Sequence, residues 1–64
     1  MNYRIEFDRE EDGRWIADIA ELPGVMAYGA TQEEAKANVE ALALRVLADQ
    51  IETSKKAVPS VVFG

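Results

Sequence analysis

The chain has no cysteine and no histidine. Without cysteine there is no disulfide, no thiol nucleophile and no thiolate metal site. Without histidine the usual general base and the commonest transition-metal ligand are missing. Basic residues are also scarce: 7 Lys and Arg stand against 12 Asp and Glu, a formal net charge of -5. No cationic cluster exceeds the pair Lys55-Lys56. A nucleic-acid binder needs a basic stripe that displaces counterions from phosphates, so no direct nucleic-acid binding is expected. No apolar run approaches the roughly 18 residues of a spanning helix, and Met1 to Glu10 is too charged for a signal peptide. These absences predict a cytoplasmic protein with no membrane contact.

What remains is a chain of 64 residues, 48% of them hydrophobic, read as a single domain over residues 1–64. A chain this short buries only about 60% of the surface its unfolded form exposes. With no disulfide to add stability, oligomerisation is the remaining common support, and a dimer or tetramer is expected. The acidity keeps a small protein soluble and also favours encounter with a basic partner.

Residues 3–8 alternate, with Tyr3, Ile5 and Phe7 on one side and Arg4 and Glu6 on the other. This is the period of a half-buried strand. Asp8 to Gly13 is polar and ends in Asp-Gly, a hairpin signal. Arg14 to Ile19 resumes the alternation with Trp15, Ala17 and Ile19 on one face. Arg4 and Glu6 are expected to form a cross-strand ion pair with Arg14 or Asp18. Pro23-Gly24 fits the centre of a type II turn, and Val25 to Gly29 is long enough for a third strand.

Thr31 and Glu34 have the spacing of a capping box, in which the Glu carboxylate reaches back to the Thr N–H. From Gln32 to about Thr53 nothing breaks a helix. Ala35, Val39, Leu42, Ala43 and Val46 share one arc and form the sheet-facing stripe. Leu44, Leu47, Ala48 and Ile51 lie on a second arc. They are expected to meet another molecule, the alternative being that the tail folds over them. In that tail, Val58 and Val61 to Phe63 are strand formers, and Pro59 confines the strand to an edge or to a start beyond the proline. The order is β-β-β-α-β, an α+β two-layer domain with one long helix on one face of a mainly antiparallel sheet.

For chemistry, only carboxylates are available. Asp8, Asp12 and Asp18 would hold a magnesium ion if they converged, but Asp is first a turn residue. No cofactor, no metal site and no enzymatic activity are expected.

Three segments carry a family resemblance: Asp12 to Ala17 (DGRWIA), Leu22-Pro23-Gly24, and Gly29 to Ala35 (GATQEEA). Their order and spacing resemble the HicB-like antitoxins of type II toxin–antitoxin systems and the small standalone proteins of that fold. The resemblance implies a partial RNase H-like fold and a role in binding and masking a small basic, RNA-cleaving toxin of the HicA-like kind. Many such antitoxins carry a DNA-binding segment, which residues 1–64 lack. Val25 and Ala30 stand where the family often has Cys and Asp. The expected protein contacts are the acidic loop Asp8–Asp12 (Asp8, Glu10, Glu11 and Asp12), the stretch Pro23–Tyr28 with Pro23 and Tyr28 at its ends, and an exposed sheet edge; the expected oligomer contacts are Leu44, Leu47, Ala48 and Ile51, or the terminal edge strand. The alternatives are a standalone homo-oligomer with no toxin and, remotely, a vestigial metal-dependent nuclease.

Overall fold

The alternation read in the first twenty residues becomes a hairpin, and the capped segment becomes one long helix. A computed structural model describes residues 1–64. Its elements are β1 (Asn2–Tyr3), β2 (Ile5–Arg9), β3 (Trp15–Ile19), β4 (Met26–Gly29), α1 (Gln32–Ser54) and β5 (Val62–Phe63). β2, β3 and β4 form an antiparallel sheet in that order; β1 and β5 pair in parallel. The Ile5 N–H donates to the Gly64 carbonyl at 2.8 Å, so β5 continues alongside the start of β2. The architecture is α+β, with the helix on one face of a mainly antiparallel sheet.

Parity sets the hairpin. Ile5 and Phe7 share the inner face with Ala17 and Ile19, so residues opposite each other must both be odd-numbered or both even-numbered. That requires a loop with an odd number of residues. Glu10 N–H donates to Arg14 O at 2.8 Å, which closes a loop of Glu11, Asp12 and Gly13. Gly13 adopts φ +92°, the left-handed conformation that ends a three-residue hairpin loop. At the other end of β3, Val25 N–H donates to Leu22 O at 3.0 Å. Gly24 there has φ +86°, as the second central residue of a type II turn requires.

The helix begins as a capping motif with one shift. Thr31 Oγ1 accepts from Glu34 N–H at 3.1 Å. The Glu34 carboxylate, however, accepts from the Ala30 N–H at 3.2 Å and not from that of Thr31. Ala35, Val39, Ala43 and Leu47 are the buried row of α1. They pack on Tyr3, Ile5, Ala17, Ile19 and Val25, with Leu42 and Val46 at the margin.

This corrects the place of Leu47, which is only 3% exposed and belongs to the core. A row of residues four apart advances about 40° around the helix at each step. The contact row therefore winds obliquely and reaches Leu47, which a fixed arc assigns to the far side. The outer stripe reduces to Leu44, Ala48 and Ile51. The tail does not cover it: Val61 and Phe63 pack at the β1 end of the core, and Leu44 stays 50% exposed.

The molecule is elongated. Its radius of gyration is 12.5 Å, against about 11 Å for a compact chain of this length. A helix of 23 residues runs about 34 Å at 1.5 Å per residue, longer than the sheet beneath it. No helix is long and apolar enough to cross a membrane.

Candidate functional site: the uncovered face of the sheet

α1 covers one face of the three-stranded sheet. The other face has no layer over it, and its side chains follow from register. Glu6 of β2, Asp18 of β3 and Met26 of β4 form one cross-strand row. Asp8, Ile16 and Tyr28 form the next. Glu10 and Arg14 close the face at the hairpin. Glu6, Asp8 and Glu10 alternate along β2, so one strand lines its side of this face with three carboxylates. Glu6, Asp8, Glu10, Ile16 and Asp18 line a shallow open depression.

Glu6 lies directly opposite Asp18. The expected cross-strand ion pairs of Arg4 and Glu6 with Arg14 or Asp18 do not form: Arg14 pairs with Asp12 within its own turn, Arg4 makes no ion pair, and Glu6 faces a like charge. Like charges directly opposite on neighbouring strands are destabilising. Arg4 and Arg14 stand at the two ends of this face by alternation, and Arg14 is committed elsewhere. Its Nε donates to Asp12 Oδ2 at 2.8 Å, and its guanidinium lies 4.6 Å from the Tyr28 ring centroid. Arg9 is on the inner side, 5.5 Å from the Trp15 ring centroid. The carboxylates of Glu6, Asp8, Glu10 and Asp18 therefore form no ion pair within the chain.

Asp12 belongs to the turn. Its carboxylate accepts from the Arg14 backbone N–H at 3.1 Å as well as from the side chain. The backbone hydrogen bond, with help from the Arg14 charge, holds its carboxyl below the usual carboxylate value. Asp8, Asp12 and Asp18 do not converge, and no group of three ligating side chains approaches a common point.

Of the six sequence-predicted contact residues, the fold brings Asp8, Glu10 and Tyr28 onto one face. Glu11 and Asp12 stand at the rim in the hairpin loop. Pro23 is exposed at the opposite end of β3, apart from the others. Met26 falls within the expected Pro23–Tyr28 stretch, whereas Glu6, Ile16 and Asp18 of the face were not predicted as contacts. Strand alternation carried the signal, since Glu6, Asp8 and Glu10 are two apart on a half-buried strand.

A protein of Thermoplasma acidophilum described as UPF0150 protein Ta0767 is 27% identical to this chain over 59 residues. The alignment spans 92% of this chain and 84% of that protein. The similarity thus runs over most of both chains. No protein-family model matches it, and no solved structure matches it.

Proposed function

We propose that this chain is a protein-binding module of the HicB-like antitoxin kind, acting in the cytoplasm. It sequesters a small basic, RNA-cleaving toxin by covering the toxin's active surface, with no chemistry of its own. The observation that carries this reading is the unrelieved acidic row on the uncovered face, above all Glu6 opposite Asp18. A like-charge pair works against the fold, and such local conflicts concentrate at functional surfaces. A basic partner removes the conflict by placing a cation between the carboxylates. The half-exposed Met26 and Tyr28, 45% and 43% accessible, adjoin the acidic rows and supply apolar contact area. Charge complementarity acts first on encounter and then on partner choice. The motif resemblance and the similarity to another protein of this size support the same reading.

The test is binding to a small basic protein encoded beside this gene, measured by calorimetry on the purified pair. Binding that weakens about tenfold in Glu6→Gln/Asp18→Asn supports the proposal. A gene neighbourhood with no such protein, or binding indifferent to these changes, contradicts it. A second reading, a standalone homo-oligomer with no toxin partner, is favoured by one specific observation: Leu44 remains 50% exposed on a helix longer than its sheet.

A further inference from the structure

β4 pairs with β3 on one side only, so its other side is a free sheet edge. The bonding pattern says which groups it presents. Ile19 N–H donates to Val25 O at 3.1 Å, so the odd-numbered residues Val25, Ala27 and Gly29 turn their polar groups toward β3. Met26 and Tyr28 turn theirs outward. The Tyr28 carbonyl already accepts from Asn38 Nδ2 at 2.8 Å, with a second lone pair left over. The N–H groups of both residues and the Met26 carbonyl have no partner in the chain.

Natural sheet edges are blunted by charge, proline or a bulge. β4, Met-Ala-Tyr-Gly, has none of these. It also lies in the longest uncharged stretch of the chain: Leu22 to Gln32 contains no Asp, Glu, Lys or Arg. This matters because two copies, each of net charge -5, repel each other wherever their acidic surfaces meet. A charge-free edge is where they approach without that repulsion, whereas a basic partner is drawn to the acidic rows instead.

We infer that β4 is the seam of a homodimer, in which two β4 strands pair antiparallel about a two-fold axis through Ala27. The register follows from the outward groups. Met26 N–H donates to the partner's Tyr28 carbonyl, Tyr28 N–H donates to the partner's Met26 carbonyl, and the axis repeats both, giving four bonds. The central pair is then a non-hydrogen-bonded one, in which side chains approach most closely. The small Ala27 suits that position. On the uncovered face Met26 meets the partner's Tyr28, a favourable sulfur–aromatic contact. Leu42 and Val46 follow Asn38 at four-residue spacing on α1 and extend the seam with apolar surface beside the edge. The result is one six-stranded antiparallel sheet with two helices on one face.

The test combines sedimentation equilibrium of the full chain with residue-resolved amide exchange across a concentration series. A dimer is expected, with the Met26 and Tyr28 amides exchanging at least about tenfold more slowly once it is populated. Met26→Pro removes an outward N–H that makes no bond in its own sheet, so far-UV circular dichroism should be unchanged while self-association weakens at least about tenfold. If that variant does not fold, the wild-type exchange data decide. A chain that stays monomeric overturns the inference. So does a dimer whose Met26 and Tyr28 amides remain as fast as in the monomer, or one dissolved by Leu44→Glu and not by Met26→Pro. Met26 and Tyr28 belong to both surfaces, but Glu6 and Asp18 take no part in the seam, so Glu6→Gln/Asp18→Asn reads toxin binding while the Met26 and Tyr28 amides of the free protein read the seam, and the two readings fail separately.

Discussion

Gly29 lies so close to Ala35 that a β-carbon on it would overlap the Ala35 backbone nitrogen and stand 2.9 Å from the Ala35 Cα. The approach lets the first turn of α1 rest on β4, with Ala35 fully buried there. Each residue of the run Gly29, Thr31, Glu34 and Ala35 thus has an architectural task. The glycine gives room, the threonine and glutamate satisfy backbone N–H groups, and the alanine is small enough for the contact. Gly29→Ala is expected to destabilise the fold by about 1–3 kcal/mol through overpacking against backbone. Thermal unfolding should show a fall of several degrees or more.

Removal of the cap is a milder change. Thr31→Ala loses the hydroxyl that accepts from Glu34 N–H. It should cost about 1 kcal/mol, with Thr31→Ser close to wild type. Urea titration at fixed temperature measures the difference.

The helix ends on Lys55, a non-glycine residue at φ 61° whose N–H donates to Ile51 O at 2.8 Å. Left-handed backbone is costly for an L-residue with a β-carbon, and glycine is the common solution at this position. Lys55→Gly should therefore stabilise the protein by about 0.5–1 kcal/mol, read as a rise in the unfolding midpoint.

Asp12 gives the molecule an acid-dependent turn. Its carboxyl is held below its ordinary value in the folded state. The stabilisation from its hydrogen bonds is therefore present above the ordinary carboxylate range and lost as pH falls through the lowered folded-state value. Asp12→Asn should be less stable than wild type at neutral pH. The gap between the two should narrow as the solution is acidified, which denaturant titrations at several pH values would follow.

Leu44 and Leu47 separate the core from the surface. Leu47→Glu places a charge at a site 3% exposed and should unfold so small a domain outright. Leu44→Glu, at a site 50% exposed, should leave the circular dichroism spectrum and stability nearly unchanged.

The same pair marks how far the sequence could be read. Strands, turns and helix start were legible because each rests on a local rule: alternation of Ile5 and Phe7, glycine in Pro23-Gly24, the Thr31 hydroxyl three residues before Glu34. Leu47 was not, because a fixed arc ignores the oblique course of the contact row across a twisted sheet. The type and order of elements came from the chain alone, except that the one strand expected over residues 3–8 divides at Arg4 into β1 and β2, which belong to different sheets. The parallel pairing of β5 with β1 did not, since it joins segments far apart in sequence through the residue pairs Asn2–Val62 and Tyr3–Phe63.

The candidate site was legible in part. The acidic run from Asp8 to Asp12 was visible as charge, and Tyr28 as an aromatic near a turn. Their division between face and rim was not, because it depends on the hairpin loop. Glu11 and Asp12 lie in the loop, and Asp12 is bound to Arg14. Glu6 and Asp18 face each other only because that loop has three residues and not two. A one-residue change of register would have moved every side chain of β2 to the other face.

The central claim is that the uncovered acidic face is kept for a basic partner at some expense to the free protein. One double variant tests both halves. Glu6→Gln/Asp18→Asn removes the opposed charges without changing side-chain size. The account predicts that the free variant unfolds at a temperature equal to or above that of the wild type, while calorimetry shows its affinity for a small basic protein encoded beside this gene reduced about tenfold. A variant that is less stable and binds as tightly as the wild type would contradict the account.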